Sequence, residues 1–134
     1  MLRVIVGVLL VLHGLVHLFY FAQSRRVFEL RPDFVWPDGS WAFSRSLGQA
    51  TTRSLAAMLC VAAAVPFVFG GAAVLAHQSW SVPVVVIAAA VSAALYLLMW
   101  NGRPRRLMDQ GWLGIVIDVV VLVAFLFTPG KLGL

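Results

Sequence analysis

The sequence predicts an all-α, polytopic membrane protein whose four transmembrane helices pack as an antiparallel bundle. Composition is the first reason. Hydrophobic residues make up 62% of the chain, charged residues only 11%, and the mean hydropathy is +0.97. A soluble domain is about a quarter charged, and so few polar side chains could not cover a water-facing surface. Segmentation is the second: four apolar stretches are candidates to cross a hydrocarbon core ~30 Å thick, which takes about 20 helical residues. Backbone hydrogen bonding is the third. Peptide groups cannot stay unpaired in lipid, so each stretch is expected to be helical despite its many β-branched valines.

The first stretch runs from Leu2 to about Gln23. Arg3 ahead of an apolar run resembles a secretion signal, but the run is too long and lacks a small-x-small cleavage site, so it is expected to be retained. The second stretch spans about Thr52 to Ala76 and carries Pro66 with Gly70 and Gly71 behind it, where a kink is expected. The third runs from about Ser81 to Trp100, with Pro83 in its first turn, where a missing N–H does little harm. The fourth, Gly111 to about Thr128, is the shortest and stops at Pro129-Gly130. Ala89/Ala93 and Ala90/Ala94, at i, i+4, and Gly7/Gly14, one heptad apart, are the small residues that let membrane helices approach closely. All 134 residues are read as one transmembrane domain.

A long loop, about 24–50, separates the first two helices. Phe34-Val35-Trp36, Pro37-Asp38-Gly39 and Ser40-Trp41-Ala42-Phe43 read as two short strands about a turn, or as an interfacial segment with its Trp rings at headgroup level. Four spans place both termini on one side and both longer loops on the other. The loop side carries Arg25, Arg26, Arg31, Arg45, Arg53, Arg103, Arg105 and Arg106; the terminal side carries Arg3 and Lys131. That asymmetry predicts N-out, C-out topology with both Arg-bearing loops cytoplasmic. It also explains the pI near 10.7 without nucleic acid as a partner. The lipid bilayer is the expected partner, with a homo-oligomer or a larger membrane complex possible for so small a bundle.

Several chemistries are excluded by what is missing. Cys60 is the only cysteine, so a thiol–disulfide enzyme is not expected. There is no phosphate loop and no nucleophile elbow. Cationic-drug exchangers of this size use a glutamate in the first helix, and the only one here is Glu29, in the loop.

Three ionisable side chains fall inside spans: His13, His17 and Asp118. Such groups are expensive in lipid and mark a site or pathway by default. Reckoned from the helix ends, His17 and Asp118 lie roughly 9–10 Å below the loop-side face and His13 about 6 Å deeper. This levels His17 with Asp118. His13 and His17 share a helix face that continues through Tyr20 and Ser24, and Cys60 and Tyr96 fall in the same half. The joint reading is a polar, proton-handling or binding pocket of His13, His17, Asp118, Tyr20, Tyr96 and Cys60, opening toward Arg103, Arg105 and Arg106 at its mouth. Three interpretations compete. The polar residues form a buried pair that only fixes helix packing, or a proton-linked site in which a desolvated carboxyl works beside an imidazole. Otherwise His13, His17 and Asp118 make a metal site with a two-histidine, one-carboxylate face. A haem held by two histidines would need a second protomer, because His77 is expected at the opposite surface.

The segment Val6-Gly7-Val8-Leu9-Leu10-Val11-Leu12-His13-Gly14-Leu15-Val16-His17-Leu18 resembles the opening of small four-helix bacterial membrane proteins described as DoxX-like. Thr128-Pro129-Gly130-Lys131-Leu132 is similar to the Gly-Pro-Gly-like turn that ends their last helix. His17 stands where that family more often has lysine, and the aromatic loop does not match. The resemblance implies a membrane accessory protein or a quinone-linked oxidoreductase subunit in a bacterial plasma membrane, not a self-sufficient catalyst. Taken together, the residues lead to an accessory subunit or a small proton- or anion-linked carrier. The alternative is a metal- or haem-bearing redox membrane protein using His13, His17 and Asp118. No cofactor is favoured.

Overall fold

The computed structural model describes residues 1–28, 34–128 and 130. Glu29, Arg31, Pro129 and Lys131, with the terminal turn expected around them, lie outside the described residues. The described chain forms helices α1 (Leu2–Ser24), α2 (Ser44–Leu75), α3 (Ser81–Met99) and α4 (Trp112–Phe127). Two short 3-10 turns, Pro104–Arg106 and Met108–Gln110, precede α4. The first three helices are long and apolar enough to cross a membrane; α4 is apolar but has 16 residues.

The α1, α3 and α4 boundaries fall within about a residue of the sequence expectation, but α2 starts at Ser44 rather than Thr52. Its first turn is set off by Gly48, whose φ of 75° and ψ of 166° are not helical. This is the only such departure inside α2, and the dihedrals stay helical through Pro66. The loop is therefore shorter than predicted, and the two expected strands do not form: no strand occurs among the described residues. The polar groups that would have paired a hairpin serve the end of α3 instead. Ser40 Oγ donates to the Leu98 carbonyl at 2.6 Å, Trp41 Nε1 to the Leu97 carbonyl at 2.8 Å, and the Trp41 amide to the Trp100 carbonyl at 2.8 Å. The last carbonyls of a helix have no partner within it, so this segment is held by the acceptors α3 leaves open. Ser40 Oγ also accepts from the amides of Ala42 and Phe43, at 3.2 and 3.1 Å.

Helix α1 packs on α2, α2 on α3, and α3 on α4. At the first crossing Gly7 faces Gly71, and a Cβ on Gly71 would stand 2.8 Å from the Gly7 carbonyl oxygen. Farther along, Gly14 meets Ala64 and Phe67, so the α1–α2 register runs in opposite senses. The buried face of α3 is Ser81, Val85, Ala88, Ala89, Ser92, Leu95, Tyr96 and Met99, the stripe of a 3.6-residue period. Ala89 belongs to it, whereas Ala90 and Ala94 face outward. One core layer joins Leu10, Phe67, Val74, Val85, Ala88, Ala89 and Phe125. A second, toward the loops, joins Phe34, Trp36, Ala56, Cys60, Leu95, Tyr96 and Met99. The ends of the chain's helical series stay parted: an apolar crevice of about 290 Å³ lies between α1 and α4.

Candidate functional site

Between the two core layers, three helices each contribute polar side chains to one network. His13 and His17 come from α1, one turn apart; Ser92 comes from the buried stripe of α3; Asp118 is, with Phe125, one of two buried residues of α4. His13 Nε2 donates to Asp118 Oδ1 at 3.0 Å. Ser92 Oγ lies 2.5 Å from Asp118 Oδ2 and 2.7 Å from His17 Nε2. His17 Nδ1 donates to the His13 backbone carbonyl at 2.9 Å. His17, Ser92 and Asp118 are each 0% exposed. From α2, Phe67 closes the remaining wall, its ring 4.8 Å from that of His13 and 5.6 Å from that of His17.

Hydrogen-bond bookkeeping fixes how many protons this cluster holds. A carbonyl can only accept, so the hydrogen of His17 Nδ1 is committed to His13. A neutral imidazole then has a bare Nε2, and a serine hydroxyl has one hydrogen to give. The contacts His17–His13 carbonyl, His17–Ser92 and Ser92–Asp118 need three hydrogens, while a carboxylate, a hydroxyl and a neutral imidazole supply two. Satisfying all three takes one more proton. It sits either on Asp118, which then donates to Ser92 while Ser92 donates to His17, or on His17, with both donations reversed. The two arrangements share heavy-atom positions and net charge, and they interconvert by shifting hydrogens along Asp118–Ser92–His17. A buried short chain of this kind can pass a proton between α4 and α1 through α3.

Counting along the helices from their ends puts His17, not His13, level with Asp118. In the structure His13 makes the direct contact and His17 is reached through Ser92, one helical turn along α1. Depth counted from helix ends does not resolve a turn of ~5.4 Å when the helices are tilted or staggered. Ser92 and Phe67 were missed. Serine is unremarkable in an apolar helix, and the only signal for it was its place on the 85–88–89–92–95–96 stripe, which an all-apolar helix does not reveal. Of the other expected members, Tyr96 touches the network through its ring, beside that of His17. Tyr20, Tyr96 and Cys60 are packed in the loop-side layer, and among the described residues no hydrogen bond joins them to the network.

The expected mouth is displaced too. Arg103, Arg105 and Arg106 are exposed on the turn before α4, where Arg106 pairs with Asp38 at 3.7 Å. Between them and His17 stand the rings of Tyr96, Tyr20 and Trp36, in contact at 5.5 Å (His17–Tyr96), 5.1 Å (Tyr20–Tyr96) and 4.9 Å (Tyr20–Trp36). A cavity of about 250 Å³ under this turn reaches Tyr96 and Gln110 but none of the four network residues. The opening that does reach the network is lateral. His13 lines the α1–α4 crevice together with apolar residues such as Leu9, Val120 and Phe125, and no arginine takes part. Among the described residues, His13 Nδ1 has no hydrogen-bond partner.

The donors do not fit a metal. His17 directs Nδ1 at a carbonyl and Nε2 at Ser92, so the two imidazoles and the carboxylate do not converge on one point. Among the described residues no group of three or more His, Cys, Asp or Glu side chains could hold an ion. His77 lies at the far end of α2, in contact with Arg3, remote from the two α1 histidines.

No protein-family model matches the chain, no curated protein matches its sequence, and no solved structure matches its fold. The DoxX-like resemblance of the first helix therefore rests on its own residues.

Proposed function

We propose that the chain is a four-span integral membrane protein that binds a lipid-soluble solute in the α1–α4 crevice and couples its occupation to a proton held by Asp118, Ser92 and His17. The carrying observation is the unbroken chain from His13 through Asp118 and Ser92 to His17, which needs one shared proton to satisfy its hydrogen bonds. The crevice supports an apolar solute: its walls are aliphatic and aromatic, and His13 is the network residue that lines it. An anionic solute, considered from the sequence, is not supported, because the arginines lie elsewhere. The contact between Arg3 and His77 supports the N-terminus and the α2–α3 turn sharing a face. With the arginines concentrated at the other face, both termini are assigned outside and the α1–α2 and α3–α4 loops inside.

The test is proton flux. Wild-type protein in liposomes with an internal pH dye should dissipate an imposed pH gradient faster than protein-free liposomes, and Asp118→Asn should abolish the difference. Wild-type flux equal to that of empty liposomes would sink the carrier reading. A second reading has its own support, since the network ties α1, α3 and α4 together and α1 and α4 barely touch otherwise. In that reading the protein is an accessory subunit and the network a packing lock. Substitutions at Asp118 or Ser92 then change unfolding temperature and leave flux at background.

A further inference from the structure

A second site lies away from this network, at the loop end of the α1–α2 pair. A pocket of about 240 Å³ is lined by Ser24, Arg25, Arg26, Arg53 and Ser54, with Ala50 beside them. Among the described residues no carboxylate pairs with any of the three guanidinium groups. Like charges gathered without a counter-ion call for an anion, and guanidinium and hydroxyl donors suit phosphate oxygens.

The backbone points the same way. Helix α1 ends in a Schellman turn, with Arg26 N–H bonded to the Gln23 carbonyl at 3.0 Å and Val27 N–H to the Ala22 carbonyl at 3.0 Å. The residue after the cap must take the left-handed conformation, normally glycine's place, and here Arg26 holds it with φ 57°. Arginine stands here where glycine would be less strained, and the turn holds its guanidinium beside those of Arg25 and Arg53 at the pocket.

The pocket is also continuous with something apolar. Arg25 and Ser54 line, in addition, an open groove of about 580 Å³ whose other walls are Phe21, Ala57, Met58 and Val61. Phe21 and Arg25 are i, i+4 on α1, while Ser54, Met58 and Val61 follow at four and three residues along one face of α2. From Ser54 to Val61 the groove descends about 10 Å along the helix. A polar, triply basic head joined to an apolar channel has the anatomy of an amphiphile, not of a free ion. We propose that this is a binding site for an anionic glycerophospholipid, its phosphate held by Arg25, Arg26 and Arg53 and one acyl chain laid along Phe21, Met58 and Val61.

The full-length protein in mild detergent is titrated with phosphatidylglycerol, phosphatidylcholine and inorganic phosphate, and bound molecules are counted by native mass spectrometry. Wild type should retain one phosphatidylglycerol per chain at an affinity about tenfold or more above that for phosphatidylcholine. Arg25→Gln/Arg53→Gln should erase that preference, while Arg103→Gln/Arg105→Gln, with the same change in charge, should keep it. Met58→Trp leaves every charge in place and should weaken phosphatidylglycerol binding by obstructing the groove. Equal retention of the two lipids by wild type, or equal loss in both arginine double variants, overturns the site. Displacement of phosphatidylglycerol by an equal concentration of inorganic phosphate, with Met58→Trp binding as wild type does, assigns the pocket to free phosphate and overturns the lipid.

Discussion

His17 and Ser92 face each other at 2.7 Å across α1 and α3, and the histidine has no nitrogen left over, because its other ring nitrogen is bonded to the carbonyl of His13. Ser92 is thus the joint of the network. It receives from one side what it gives to the other.

Ser92→Ala removes that joint and leaves His17 Nε2 and Asp118 Oδ2 buried without their partner. A lost buried hydrogen bond with an orphaned group costs about 1–3 kcal/mol, so thermal unfolding in detergent should show a clear loss of stability. Ser92→Thr keeps the hydroxyl and should recover most of it. Equal stability of the alanine variant and wild type would show that Ser92 does not link the two groups.

Asp118→Asn has a sharper consequence. The asparagine amide reproduces the arrangement in which position 118 donates to Ser92 and accepts from His13, but has no proton to move. Stability should change by less than about 1 kcal/mol, while proton-linked flux disappears. Asp118→Leu strands both His13 and Ser92 and should destabilise by about 3 kcal/mol or more. The contrast between the two variants, read by unfolding and flux together, separates a proton-handling role from a packing lock.

Arg26→Gly tests the strained turn at the end of α1. Relieving a left-handed arginine should raise stability by about 1 kcal/mol in detergent without added lipid. The same change should lower phosphatidylglycerol retention. A variant that is both less stable and unchanged in lipid binding would contradict the account of that turn.

Gly71→Ala probes the α1–α2 crossing. The added methyl would stand 2.8 Å from both the Gly7 carbonyl oxygen and Val11 Cγ2, and one of these contacts is backbone, which cannot rotate away. A loss of about 1–3 kcal/mol is expected from separating the helices, measured by chemical or thermal unfolding.

Much of the helical plan was legible because apolar runs bounded by Arg, Pro and Gly leave the backbone in lipid little choice. The start of α2 was not: Ser44–Thr51 is polar and interrupted by Gly48, so nothing in its pattern distinguishes a bent helical turn from loop. The hairpin expectation failed on tertiary grounds, since Ser40 and Trp41 found acceptors at the end of α3, 56–59 residues away. His13, His17 and Asp118 were recognisable as a group by their chemistry alone. Which histidine meets the carboxyl depends on a shift of one turn, and the serine between them depends on which way α3 faces. Neither is written in a helix that is apolar on every side.

Sixteen residues give α4 a length of about 24 Å, against a hydrocarbon core near 30 Å. If α4 spans, the leaflets must thin beside it or its flanking turns must sink into the membrane, because a short segment meets hydrophobic mismatch by deforming its surroundings. That deformation falls on the helix that forms one wall of the crevice. The distance a proton must travel from water to Asp118 is then set as much by bilayer thickness as by the protein. The same chain would behave differently in thin and thick membranes, and acyl-chain length becomes an experimental control on this site.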